Sequence, residues 1–372
     1  MASRRLRRPD ARRAAALFVG LLGVLLGVLL GVVVTAAPAG ANNFYGDAGY
    51  RLGVRIAQIS AEWRVPRVAP GSRLGQARTF VYASYQPSGV DLELGTIEQE
   101  LSSHGHRTAS YEAFWTRDGF GADTMRAVRA GDLIKASAAR KNPNWQLTLV
   151  DYTEHWQQTI KNPGVASTTI TRAGWLQEDP ATTVLVPDTE QTPVAAYPEV
   201  SAVTFTHLRI DDATPELPWN DALYIELSNG AYLLPTRPSG DGFSIVAATG
   251  AARQYMADSA PYNVAARIFS YLGEHWVGST PAASRYAEAQ PFLAATRTYI
   301  HELSTQRWPG RAASDVHVLA RLEGRLVTLI DQLPGMSTSN LAPWVQALIR
   351  TLSLTHDEGM QIHTALGIPP TV

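Results

Sequence analysis

Two periods divide the chain. From about residue 54 to residue 249, apolar and polar residues alternate in short runs, at 79–85, 132–138, 146–150, 202–206 and 222–227. A period of two sends successive side chains to opposite faces, so each run predicts a strand with one side in a core. Turn-forming clusters at 87–89, 141–144, 228–230 and 238–242 punctuate them. Many short strands at this spacing predict an antiparallel sandwich or barrel. Beyond Gly250 the period lengthens. Val316, Leu319, Leu322, Leu326, Leu329, Ile330 and Leu333 recur at three and four residues and stop at Pro334-Gly335, as on an amphipathic helix. Further helices are predicted over 264–276, over 282–306 with a bend at Pro291, and over 342–354 with Asn340 near its cap and Pro343 in its first turn. A last one is expected to start at the capping-box pattern Thr355-His-Asp-Glu358. The expected organisation is a β domain over 48–250 followed by an α-helical domain over 251–372.

The amino-terminal end follows neither period. Six Arg and one Asp stand in the first thirteen residues, and no further charge appears until Asp47. Between them residues 14–37 form an apolar run that ends at Ala39-Gly40-Ala41, a small-residue pattern a signal peptidase can cut. Residues 1–41 are therefore expected to be a signal peptide or a membrane anchor, and the rest to be exported, either secreted or held on the outer face of the cytoplasmic membrane. Membrane contact is expected only through residues 14–37, if they are retained.

Composition narrows the chemistry. The 32 basic and 33 acidic side chains give a net charge of -1, so nothing advertises nucleic acid as a partner. There is no Cys, which removes disulfides, thiol nucleophiles and thiolate metal sites. The histidines do not make a metal site either: His104 and His106 stand in a turn, His301-Glu302 has Thr305 where a zinc helix needs its second His, and His356 and His363 read as surface or capping residues. No metal and no cofactor is expected.

The candidate chemistry lies on two predicted strands. In 96–101, Gln99 faces one side and Glu98 and Glu100 the other; in 172–179, Arg172, Gly174, Leu176 and Glu178 share a face. Around these strands the sequence resembles the glutamic peptidases, the eqolisin family. The resemblance runs in order through Ala61-Glu-Trp-Arg-Val-Pro66, Ile97-Glu-Gln99, Ser110-Tyr-Glu-Ala-Phe-Trp115, Ala130-Gly-Asp-Leu-Ile-Lys135, Ala173-Gly-Trp-Leu-Gln-Glu-Asp179 and Val203-Thr-Phe-Thr206, and covers roughly residues 54–248. It implies a double antiparallel β-sandwich in which a Gln and a Glu face each other across the groove of one sheet. There the carboxylate activates water as general base and the amide stabilises the oxyanion.

Matched to that pattern, Gln99 takes the place of the Gln, Gly174 that of the Glu, and Thr116 that of a second groove carboxylate. With the base missing, the expected role is non-catalytic: binding an extended peptide, or serving as a scaffold for another cell-envelope protein. Trp63, Trp115 and Trp175 are candidate groove walls. A working acid endopeptidase would need a relocated carboxylate, for which Glu112, Glu178 and Asp179 are the candidates, although Glu178 lies about 13 Å along the strand from Gly174. A lectin-like glycan binder is the remaining alternative, and rests on fold analogy.

Overall fold

The computed structural model describes residues 46–85, 90–103, 106–117, 121–142, 144–166, 169–180, 197–227, 230–275, 281–336 and 340–370, which fall into two compact units meeting in sequence at Thr249 and Gly250. The leader assigned to residues 1–41, the turn at 87–89 and His104 lie outside the described residues.

The first unit is built of strands β1 (Asp47–Leu52), β2 (Gln58–Arg64), β3 (Gly75–Tyr85), β4 (Val90–Ser103), β5 (His106–Arg117), β6 (Asp123–Ala127), β7 (Leu133–Lys141), β8 (Asn144–Asp151), β9 (Trp156–Ala166), β10 (Arg172–Glu178), β11 (Val203–Ile210), β12 (Ala222–Leu223), β13 (Ile225–Glu226), β14 (Tyr232–Pro235) and β15 (Phe243–Ala247). They form two antiparallel sheets, a seven-stranded one ordered β12-β1-β10-β3-β4-β5-β6 and an eight-stranded one ordered β13-β14-β15-β11-β2-β7-β8-β9. The period-two alternation explains the core: alternate residues along the strands, including Tyr50, Leu94 and Trp175 from one sheet and Trp63, Ile134, Leu147 and Phe205 from the other, are buried in a single cluster. The run at 222–227, read as one strand, is divided at Tyr224, so that β12 joins one sheet and β13 the other.

The second unit has four helices, α1 (Gly250–His275), α2 (Ala282–Thr305), α3 (Ala312–Asp331) and α4 (Leu341–Leu366). Each packs on the next, and α1 also touches α4. Helix α2 runs through Pro291 and α1 through Pro261. The two helices expected over 342–354 and from Thr355 are one. Thr355 is not a cap; its hydroxyl donates to the Thr351 carbonyl at 2.7 Å, one turn back along the same helix. Gly367, at φ 70° in the left-handed region, ends it. Among the described residues no helix is long and apolar enough to cross a membrane.

Candidate functional site

Strand register decides which side chains meet. Across the seven-stranded sheet the pairings Arg51–Gly174, Gly174–Tyr82, Tyr82–Glu93 and Glu93–Thr116 put five residues in one row over β1, β10, β3, β4 and β5. Their chain neighbours Tyr50, Ala173, Trp175, Val81, Ala83, Leu92 and Leu94 point into the inter-sheet core, so this row lies on the opposite, outer face. Beside it on that face are Phe80, Leu176 and Phe114, packed with Tyr82 and Ile97 as a smaller apolar cluster. A third row holds Asp47, Glu178, Arg78, Ile97 and Glu112.

Gly174 is where the sequence resemblance expects a carboxylate, and the residue that stands across from it, beyond Tyr82, is Glu93. Gln99 does share the outer face, but it pairs with Gln76 and Ser110, six residues along β4 from Glu93, or about 20 Å at the rise of a strand. It does not face Gly174. Thr116 lies in the same row as Glu93 and is buried. Glu112 and Glu178 also share this face, and Glu178 accepts from Arg78 at 3.2 Å. Asp179 points the other way and is buried, its amide donating to the Gly46 carbonyl at 2.7 Å.

The tryptophans are not groove walls. Trp63 and Trp175 are 1% and 0% exposed in the inter-sheet core, where Trp63 Nε1 donates to Thr96 Oγ1 at 3.2 Å and Trp175 Nε1 to the Ser60 carbonyl at 3.1 Å. Trp115 packs against the same core. All three occupy the inward parity of their strands, so none of them lines the outer face of its sheet. Of the histidines, His106 and His301 are exposed, His356 is half-buried, and His363 packs edge-on against Tyr255. Among the described residues no three His, Asp or Glu side chains converge to hold a metal ion.

The electrostatics of the outer face are those of crowded, poorly hydrated carboxyls. Burial is the largest influence on each. It pushes Asp47 up to about 7 against the opposing pull of Arg51, with Glu178 adding to the rise. It raises Glu178 in spite of Arg78. Glu93 is held well above the ordinary carboxylate range by burial and then by the neighbouring Glu178 and Asp47, with Arg78 opposing. The two guanidiniums are already engaged: Arg51 pairs with Asp47 and lies 5.0 Å over the Tyr82 ring, while Arg78 pairs with Glu178 and lies 5.6 Å over Phe114. Tyr82 donates to Asp91 Oδ1 at 3.1 Å. Glu93 Oε2 is buried without a hydrogen-bond partner, as are the Nε atoms of Arg51 and Arg78.

Two glycines set the backbone here. Gly49 has φ 141°, and a Cβ on it would stand 2.1 Å from the Trp175 carbonyl oxygen; a Cβ on Gly174 would stand 2.8 Å from that of Tyr50. The absence of a side chain at 174 is thus part of how β1 and β10 approach each other. Sequence reasoning passed over Glu93, Arg51 and Asp47. The signal for Glu93 was its parity with Gly95 and Ile97 in β4, which becomes decisive only once the pairing with β3 is known.

Among solved structures the chain is similar to scytalidoglutamic peptidase, crystallised with a peptide-based transition-state analogue, at 18% identity and a TM-score of 0.42, over 54% of this chain and 98% of that one. It is similar to SCP-B, a member of the eqolisin family of peptidases in complex with the tripeptide Ala-Ile-His, at 18% identity and a TM-score of 0.39 over the same shares. The aspergilloglutamic peptidase from Aspergillus niger gives 20% and 0.36, over 46% of this chain and 98% of that one. No family model and no curated protein matches the sequence.

Proposed function

We propose that the chain is an exported, glutamic-peptidase-like protein whose sheet face binds an extended peptide segment of a cell-envelope partner without cleaving it. The observation that carries this reading is the row Arg51–Gly174–Tyr82–Glu93–Thr116. Hydrolysis in the manner of the family it resembles needs an ionised carboxylate and, facing it, an amide donor. Here the carboxylate position is a glycine that close strand packing favours, and the position facing it is an acid rather than an amide. A carboxyl whose pKa lies well above the ordinary range is protonated in acid and is too weak a base to take a proton from water there. Export rests on the charge and hydropathy pattern of residues 1–41.

The test is digestion of an unfolded protein substrate by the purified full chain. No cleavage is expected between about pH 2 and pH 5, the range in which ordinary carboxylates titrate. Acid proteolysis would overturn the reading.

A second reading is favoured by the unpartnered Oε2 of Glu93: a relocated base in place of Glu112, Glu178 or Asp179. Its signature is the opposite pH profile. Cleavage would be absent in acid, would rise as Glu93 ionises, and would vanish in Glu93→Gln.

A further inference from the structure

We propose that Glu93 is the recognition point of this face for a basic side chain, so that the peptide it takes is one that presents a lysine there; this rests on the peptide-binding reading above. Glu93 is 8% exposed and its side chain has the outward parity of β4, beside Gly95 and Thr116. Its Oε2 accepts no hydrogen bond. Leaving a buried acceptor unmade is costly, and a ligand that donates to it recovers that cost on binding.

The neighbours decide the sign of the ligand. Of the charged groups that act most strongly on Glu93, three are the carboxyls Glu178, Asp47 and Asp91 and one is the guanidinium of Arg78. Arg78 is already held by Glu178, and the nearby Arg51 by Asp47. The field at Glu93 is therefore that of excess acid, which repels an anion, gains little from a neutral donor and favours a cation. Among cations an ammonium is the simplest match to a single acceptor atom, because it carries three donors on one compact charge at the end of a slender stem. An acidic cluster would not by itself single out a ligand; the buried acceptor without a partner does.

The experiment is calorimetric titration of the full chain at pH 8 with two blocked pentapeptides, Ala-Ala-Lys-Ala-Ala and the same sequence with norleucine in place of lysine. The lysine peptide is expected to bind at least about tenfold more tightly, the scale of one charge-assisted hydrogen bond. Glu93→Gln is expected to abolish the preference, so that the two peptides bind it alike, and Glu93→Asp to keep part of it. Equal affinities in the wild-type chain would overturn the proposal and leave the peptide-binding reading standing. Binding of neither peptide would overturn both. A preference that survives in Glu93→Gln would also overturn it, since the lysine would then be read elsewhere. Should Glu93→Gln fail to fold, as seen in its melting profile, the wild-type comparison of lysine with norleucine still decides.

Discussion

The two units bury carboxyls in different ways. On the outer face of the seven-stranded sheet, acids stand opposite or near cations: Asp47 with Arg51, and Glu178 with Arg78. Even Glu98, wholly buried on the inward side, accepts from the hydroxyls of Thr96 at 2.6 Å and Thr79 at 3.2 Å. In the helical unit Glu323 has no such company. It is 0% exposed, no cation among the described residues stands against it, and its surroundings are aromatic, with Tyr262 and Tyr299 stacked 4.9 Å apart near it and the Tyr262 hydroxyl as its polar neighbour. A sheet brings complementary residues together from distant parts of the sequence through register, so charge pairs form across strands. A helix offers its core stripe to whatever the other helices present, and an acid on that stripe must be carried neutral.

That contrast is most sharply broken at Glu323. Burial pushes its pKa from the ordinary 4.5 up to about 8, with the Tyr262 hydroxyl opposing. A carboxyl whose folded pKa is raised binds its proton more tightly when folded. Its contribution is therefore full below about pH 4.5 and is lost as the pH rises toward 8. The loss is on the order of 5 kcal/mol across that window. Chemical denaturation of the full chain, followed by helical circular dichroism at pH 4.5 and at pH 9, is expected to show the helical transition moving to lower denaturant at the higher pH. Glu323→Gln is expected to remove that shift. A transition equally placed at both pH values in the wild type would mean that Glu323 finds a partner, and the contrast with the sheet would fall.

The next effect tests the sheet side. At Gly174 the obstacle to a side chain is the backbone oxygen of Tyr50, 2.8 Å from where a Cβ would stand, and Tyr50 is itself fixed in the core. Backbone cannot swing aside as a flexible side chain would. Gly174→Ala is therefore expected to destabilise the sandwich by about 1–3 kcal/mol, the usual cost of overpacking, read as a lower denaturation midpoint. Gly174→Glu adds a buried charge to the same strain and is expected to yield no peptidase. A neutral or stabilising Gly174→Ala would show that β1 and β10 do not approach as closely as the structure has them.

Much of the architecture was legible in the sequence, and the reason is local. Period two marked β3, β7, β8 and β11, and the lengthened period after Gly250 marked α3, because each depends only on residues a few positions apart. What was not legible depended on pairing. Gln99 was chosen from its neighbours in sequence, but the β3–β4–β5 register sets Glu93, six residues earlier, in the row of Gly174. The tryptophans failed for a related reason: alternation tells which residues share a face but not which face is the core. Glu323 was visible in principle. The buried stripe of α3 runs Val316, Leu319, Glu323, Leu326 and Ile330 at three-and-four spacing, so an acid occupies a core position that was assigned to Leu322 instead.

The smallest effect separates the two units at the level of the backbone. Gly324 follows Glu323 in α3, in the interior of the helix, and a Cβ built on it meets nothing within 4 Å. Its cost is then the ordinary one of glycine in a helix, the conformational freedom lost on folding, with no close approach to compensate. Gly324→Ala is expected to stabilise the helical unit by about 0.5–1 kcal/mol, whereas the same substitution at Gly174 destabilises the sandwich. Because no titrating atom is added, the gain should be the same at pH 4.5 and pH 9, which sets it apart from that of Glu323→Gln. Denaturation midpoints of the single variants and of Gly324→Ala combined with Glu323→Gln supply the check. A loss of stability in Gly324→Ala would show that another element closes on that side of α3, and the difference between a crowded sheet glycine and an open helical one would disappear.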